Sequence, residues 1–252
     1  MRLRVDLLPG QDYADVVILV DVLRATTAAP ILLERAGVYV TPSLRAARAF
    51  AGERGLLLAG ERDGLPPEGF NYSASPDDLR RARFEGRDVV LTTENGPRAL
   101  AHVTGARHVL LGSFYNARAV TDAALRLARD EISIVCAGMR GEEAIEDIVC
   151  AGFLARRVVK QGEGRGVEAR ERVRLAQTLL RAFADPQEAL AQSESGQLLM
   201  RLGLHEDLAV ASLISHSDAV PRLRETLTVE GHPVYAFENV GRGALAAQEA
   251  SA

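Results

Sequence analysis

The chain has no tryptophan, a single lysine (Lys160), two cysteines and no long apolar run. Each shortage removes a class of protein. Cys136 and Cys150 are too few for a disulfide framework, and neither stands at metal-ligand spacing with a histidine. A reducing compartment, the cytoplasm, fits such a sequence. No apolar segment reaches the roughly 20 residues of a membrane-spanning helix, and the N-terminal "MRLRVDLLPGQDY" lacks the apolar core of a signal peptide. The formal net charge of -4 supplies no global positive field, which excludes nucleic acid and anionic membranes as partners held by bulk electrostatics. Any bound anion must be held by local arginines. His102, His108, His205, His216 and His232 fall in no metal-ligand spacing. No Gly-x-Gly-x-x-Gly follows the first strand candidates, and "GMRGEE" is neither that fingerprint nor a P-loop, which disfavours a dinucleotide-dependent oxidoreductase.

What remains is an ordinary globular composition: 252 residues, 47% hydrophobic and 25% charged, enough to bury a substantial core. Short apolar runs of strand length recur at 3–8, 15–20, 38–40, 55–60, 88–93, 108–113 and 132–138, with a last candidate, "PVYAF", at 233–237. Segments such as "SLRAARAFAGER" and "NARAVTDAALRLARD" lie between them with helical spacing. The alternation predicts an α/β protein, and strands apolar on both faces predict a mostly parallel or mixed central sheet with helices on each side. From about residue 142 the pattern reads as more continuously helical. The expectation is one domain over 1–252, divisible into a strand-rich lobe, about 1–140, and a helix-rich lobe, 141–252. The tail "AAQEASA" reads as frayed.

In such sheets ligands bind beyond the carboxyl ends of the strands. Asp21 stands there, directly after "VVILV", with Arg24, Thr26 and Thr27 in the turns that follow. A lone aspartate in that position is ordinarily a helix cap. Carboxylate, arginine and helix N-terminus together suit a metal-phosphate pair instead, because magnesium takes one or two carboxylates and completes its shell with water and phosphate oxygens. Two other phosphatase designs fail on the letters. An Asp-x-Asp enzyme needs a second acid where Leu23 stands, and a cysteine phosphatase needs arginine six residues after Cys136, where Glu142 stands and Arg140 comes too early.

Further strand ends add polar groups. "AGERDG" offers Glu61 as a metal ligand beside Arg62, and "TTENGPRAL" offers Asn95 and Gly96. "GSFYNA" offers Ser113 and Asn116, either as substrate contacts or as a turn and a helix cap. "CAGMRGEEAIED" offers main-chain amides near Gly138, then Arg140, Glu146 and Asp147. In the later helical stretch Ser195, Asp207 and Asp218 read as caps.

Taken together, "VDVLRATT" (20–27), "GERDG" (60–64), "GFNYSASP" (69–76), "TTENG" (92–96), "GSFYNA" (112–117), "CAGMRGEEAIEDIVCAG" (136–152) and "SESGQLLMRLGLHEDL" (193–208) resemble the 2-phosphosulfolactate phosphatase family in unchanged order. The resemblance implies a three-layer α/β/α fold, magnesium dependence, and hydrolysis of (R)-2-phospho-3-sulfolactate to 3-sulfolactate and phosphate, a step of coenzyme M biosynthesis. The family pattern usually has an acid and an Asn where this chain has Asn71 and Ala74, and threonines where it has Glu94 and Pro97. Asn71 carries no charge, so a metal ligand or base at that place is weakened.

The expected mechanism is metal-assisted hydrolysis. Asp21, with Glu61 and Glu146 or Asp147, holds Mg2+; Arg24, Thr26, Thr27 and Asn95 neutralise the transferred phosphoryl group; Arg62 or Arg140 takes a second anionic group. A covalent phosphoryl-Asp21 is an open variant. The competing class is a non-catalytic sensor of a small phosphorylated or sulfonated anion. A homodimer is the expected assembly.

Overall fold

The structure, a computed structural model, describes residues 1–241, so the "AAQEASA" tail lies outside the described residues. The chain opens with β1 (Arg2–Asp6), β2 (Val16–Val20), α1 (Ala25–Leu33), β3 (Val38–Val40), α2 (Leu44–Arg54), β4 (Leu57–Gly60), β5 (Tyr72–Ser73) and α3 (Pro76–Arg81). The alternation continues through β6 (Val89–Thr92), α4 (Asn95–Val103), β7 (His108–Gly112), α5 (Ala117–Leu127), β8 (Glu131–Cys136), α6 (Ile145–Gln161) and β9 (Glu168–Ala169). Four helices follow: α7 (Glu171–Leu180), α8 (Pro186–Gln192), α9 (Glu194–Arg201) and α10 (His205–Ala211). A hairpin, β10 (Pro221–Val229) and β11 (His232–Asn239), completes the described chain.

All eleven strands join one mixed sheet in the order β5-β4-β6-β3-β11-β10-β7-β2-β8-β1-β9. One half, β5 to β3, is internally parallel, and so is the other, β7 to β9. The hairpin joins them through antiparallel pairings of β3 with β11, β11 with β10, and β10 with β7. Three successive reversals mean that the two parallel halves run in opposite senses along the sheet.

The residues of β2 show why this is a layered α/β fold. All five are buried, and they alternate between two cores as a pleated strand requires. Val16, Ile18 and Val20 face a core shared with α5 and α6, whereas Val17 and Leu19 face one shared with α1, α4 and the strands of the opposite half. A third cluster packs α2 over Val90 and Val234. Buried small residues Ala28 and Ala29 let α1 lie close between the halves. The β8 start is fixed by Asp15, whose Oδ2 accepts from the amides of Arg129, Asp130 and Glu131.

The late region departs from its helical reading in one respect. "PRLRETLTV" forms β10 at the middle of the sheet order, yet pairs with β7 only at Arg222 and Leu110 and is exposed over its centre. A strand with one partner along most of its length needs no apolar run, so its residues read as polar. Among the described residues no helix is long and apolar enough to cross a membrane.

Candidate active site

The segments that follow β2, β4, β6 and β8, two strands from each half of the sheet, meet around one cleft. Asp21 directly follows β2 and is 5% exposed. Its carboxylate accepts from the amides of Ala25 and Gly96, the first turns of α1 and α4, so two helix N-termini point at one acid. Gly96 is required there, because a Cβ would stand 2.6 Å from Asp21 Oδ2 and 2.9 Å from the Ala25 Cβ. Burial, and then the charge of Glu61, push the Asp21 pKa from 3.8 up to about 7, against the pull of those amides.

The two threonines face inward. Both are fully buried; Thr26 Oγ1 donates to the Asp21 carbonyl at 2.9 Å, and Thr27 Oγ1 donates to the Val22 carbonyl at 2.9 Å. They brace the strand-to-helix turn. Ser113 and Asn116 do the same after β7: Asn116 Oδ1 accepts from Ser113 N at 3.0 Å and its amide bonds the carbonyls of Leu111 and Ala219. The buried Ser113 hydroxyl has no hydrogen-bond partner among the described residues.

Glu61 follows β4 and accepts from Gly64 N at 3.0 Å and Glu94 N at 3.2 Å, which ties the β4 turn to the start of α4. Arg62 points away along the chain surface, bonding the carbonyls of Glu61 and Pro42. Beyond it, Asp63 and Gly64 take positive φ and close a tight turn between Arg62 and Leu65; Arg140 and Gly141 close a like turn between Met139 and Glu142 after β8. The tips of the two turns meet as Asp63 and Arg140 at 2.9 Å, and Asn95 Oδ1 accepts from Arg140 N at 3.2 Å.

From α6 come Glu146 and Asp147, 3% exposed each. Asp147 accepts from Val22 N at 2.9 Å and Gly138 N at 3.1 Å, locking the β2 and β8 ends together. Burial, reinforced by the charges of Glu146 and Asp21, raises its pKa well above the usual carboxylate range. Glu146 is also raised, by burial against the opposing pull of the Ser195 and Ser193 hydroxyls.

Arg24 reaches the cleft, but its guanidinium is already engaged. Nη1 pairs with Asp207 Oδ2 at 2.9 Å and Nη2 donates to the Gly64 carbonyl at 3.0 Å. Asp207, expected as a cap, also accepts from the Ser75 hydroxyl and from Asp77 N. Neither Asp207 nor Ser75 carries a local signal for this role; only their place within "HEDL" and "SASP", two stretches of family resemblance, marks them. Asn71 and Ala74 stand elsewhere: Asn71 Oδ1 caps the β4 edge by accepting from Leu58 N, and Ala74 is core. Both cysteines are buried with thiol pKa values raised by burial, which leaves them inert.

The cleft is lined by Arg24, Glu61, Asp63, Glu94, Asn95 and Arg140, with Met139, Ser195, Leu198 and Leu199 from the loop after β8 and from α9, and it encloses about 40 Å³. Its charge balance is unusual for an anion site. Arg24 is neutralised by Asp207 and Arg140 by Asp63, while Asp21, Glu61, Glu146 and Asp147 have no ion-pair partner among the described residues. Glu61 is half-buried beside Arg62, whereas Asp21, Glu146 and Asp147 are buried behind the cleft wall; acids without an ion pair suit a hard cation, and an all-oxygen donor set suits magnesium. No three metal-capable side chains form a cage by themselves among the described residues. One or two carboxylates are what magnesium ordinarily takes from a protein, the rest of its shell being water and phosphate oxygen. Glu61 at the cleft wall and Asp21 behind it would supply that number.

Known proteins resemble this chain over most of its length. A sequence profile for the family described as 2-phosphosulpholactate phosphatase matches residues 3–226. A protein of Thermus thermophilus named "Probable 2-phosphosulfolactate phosphatase" is 44% identical over 230 residues, covering 89% of this chain and 95% of its own. Proteins of the same name from Deinococcus radiodurans (43% over 228 residues, 88% and 93% coverage) and Symbiobacterium thermophilum (34% over 228 residues, 88% and 97%) are similar throughout. With fold, cleft and relatives in accord, the chain belongs to the 2-phosphosulfolactate phosphatase family of phosphoric monoester hydrolases.

Proposed function

We propose that the chain is a magnesium-dependent phosphatase that hydrolyses (R)-2-phospho-3-sulfolactate to 3-sulfolactate and phosphate in the cytoplasm. The observation that carries the reading is the set of four carboxylates, Asp21 and Glu61 after β2 and β4 and Glu146 and Asp147 at the start of α6, none of which makes an ion pair among the described residues. A phosphate dianion is repelled from such a cleft unless a cation accompanies it. The buried, free thiols support a reducing compartment.

Asp21 and Glu61 would hold magnesium, with Glu146 and Asp147 adding negative charge behind them. When bound, the ion supplies Lewis-acid polarisation of the phosphoryl oxygens. The chain does the rest. Its main-chain amides at Gly96, Ala25, Val22 and Gly138 fix the acids, so no reorganisation is needed when charge develops. The Arg24 guanidinium, held flat by Asp207 and Gly64, presents a rigid donor to the leaving or transferred oxygens. Asn95 orients the phosphoryl group from the start of α4.

The test is phosphate release from phosphosulfolactate, with magnesium and with a chelator. Release that requires the ion supports the reading. Folded, magnesium-loaded protein that binds the compound and releases nothing would make it an anion sensor instead.

A further inference from the structure

A second cavity, of about 410 Å³, adjoins the cleft and shares Asn95 and Arg140 with it. Its other walls are Arg98, Ala99 and His102 from α4, Leu8 and Pro9 after β1, and Ala137 and Gly141 at the β8 end. Asn95, Arg98 and His102 follow one another at helical spacing, so a single stripe of α4 runs from the cleft into this groove. The two cavities have opposite character. The cleft holds acids in excess, whereas the groove is lined by two arginines and a histidine and by no acid at all.

We propose that the groove is the subsite for the substrate's sulfonate, with Arg98 as its principal ligand; this rests on the phosphatase reading of the neighbouring cleft. A phosphosulfolactate carries its phosphate and its sulfonate on adjacent carbons, and the two need different surroundings. The phosphate suits a cation held by carboxylates. A sulfonate binds metal weakly and has three equivalent oxygens, which a guanidinium fork meets well. Arg98 is available for it: among the described residues it makes no hydrogen bond or ion pair. Arg140 is the second donor. Its bond to Asp63 joins side chains 64% and 78% exposed, a pairing of little net strength that an incoming anion displaces.

Calorimetric titration of 3-sulfolactate, with lactate as the control that lacks only the sulfonate, tests this without turnover. The wild-type chain should bind 3-sulfolactate more tightly than lactate, and Arg98→Ala should weaken 3-sulfolactate about tenfold or more while narrowing the gap between the two ligands. Arg98→Lys, which keeps charge and loses the fork, should fall between them. Equal binding of both ligands by the wild type, or an unchanged gap in Arg98→Ala, overturns the subsite. The phosphate-release assay decides the catalytic reading separately: a chain that binds 3-sulfolactate through Arg98 yet releases no phosphate keeps the subsite and loses the enzyme. Arg98 is exposed and unbonded, so both variants are expected to fold, which thermal denaturation verifies.

Discussion

Arg24 and Asp207 stand 183 positions apart in sequence and meet at 2.9 Å, with side chains 2% and 1% exposed. This pair ties the α1 turn, through Asp207 and Ser75, to α10 and α3, and through Gly64 to the turn after β4. Removing one partner leaves the other charge buried without compensation. Asp207→Ala should cost about 3–5 kcal/mol of stability in chemical denaturation. Asp207→Asn keeps the shape and is the informative variant: kcat should fall while the circular dichroism spectrum of the fold is retained. Unchanged kcat would mean that Arg24 does not act in the cleft.

Asp21→Asn should separate function from stability. Asparagine keeps the shape and one acceptor oxygen for the amides of Gly96 and Ala25, so the fold persists, but the charge that would hold a cation is gone. Turnover should drop about 10²-fold or more. In metal-free protein at pH 8, the same substitution should raise Tm, since it removes one of several mutually repelling acids. A variant with near wild-type turnover would reduce Asp21 to a cap.

Stability should also depend on pH in a particular direction. In the fold Asp21 titrates at about 7, against 3.8 for an ordinary aspartate. Between those values the folded chain keeps a proton that the unfolded chain has lost, so stability falls as pH rises from about 4 to 7. Asp147 and Glu146 are shifted in the same sense and add to the slope. Differential scanning calorimetry in chelator should show Tm declining across that window, and saturating magnesium should flatten the decline by stabilising the ionised acids. A metal-free Tm that rises over the window would contradict the grouping of uncompensated acids.

Gly96→Ala tests the approach of α4 to Asp21. The added methyl stands 2.6 Å from Oδ2, so either the carboxylate or the helix must shift. Overpacking of this kind costs about 1–3 kcal/mol. The larger effect should fall on kcat, because sub-ångström displacement of a reacting group is costly. Parallel measurement of Tm and kcat reads both.

Asp63→Ala should do the reverse. The Asp63–Arg140 pair is exposed, so its loss should change stability by less than about 1 kcal/mol. The freed Arg140 should lower KM for an anionic substrate, a change visible in initial-rate kinetics.

Much of this was legible in the letters, and for identifiable reasons. β2 announced itself because a strand apolar on both faces has few other homes, and Asp21 stood out because polar residues that end such a strand lie at the open edge of a sheet. The same rule puts Glu61, Asn95 and Arg140 beyond strand ends, and all three line the cleft. What escaped was whatever depends on long-range contact. Nothing near Asp207 distinguishes it from a helix cap until Arg24 arrives from the other end of the chain. Thr26 and Thr27 look like anion ligands in sequence, yet their hydroxyls serve the main chain of their own turn. β10 escaped because its exposed centre carries no buried-strand pattern, and β5 and β9, two residues each, are too short to carry one.

A cleft of about 40 Å³ has room for only a few water molecules, less than a phosphorylated hydroxy acid fills, so such a ligand must extend into the adjoining groove that shares Asn95 and Arg140. The Asp63–Arg140 contact at their border is exposed to water and opens at little cost.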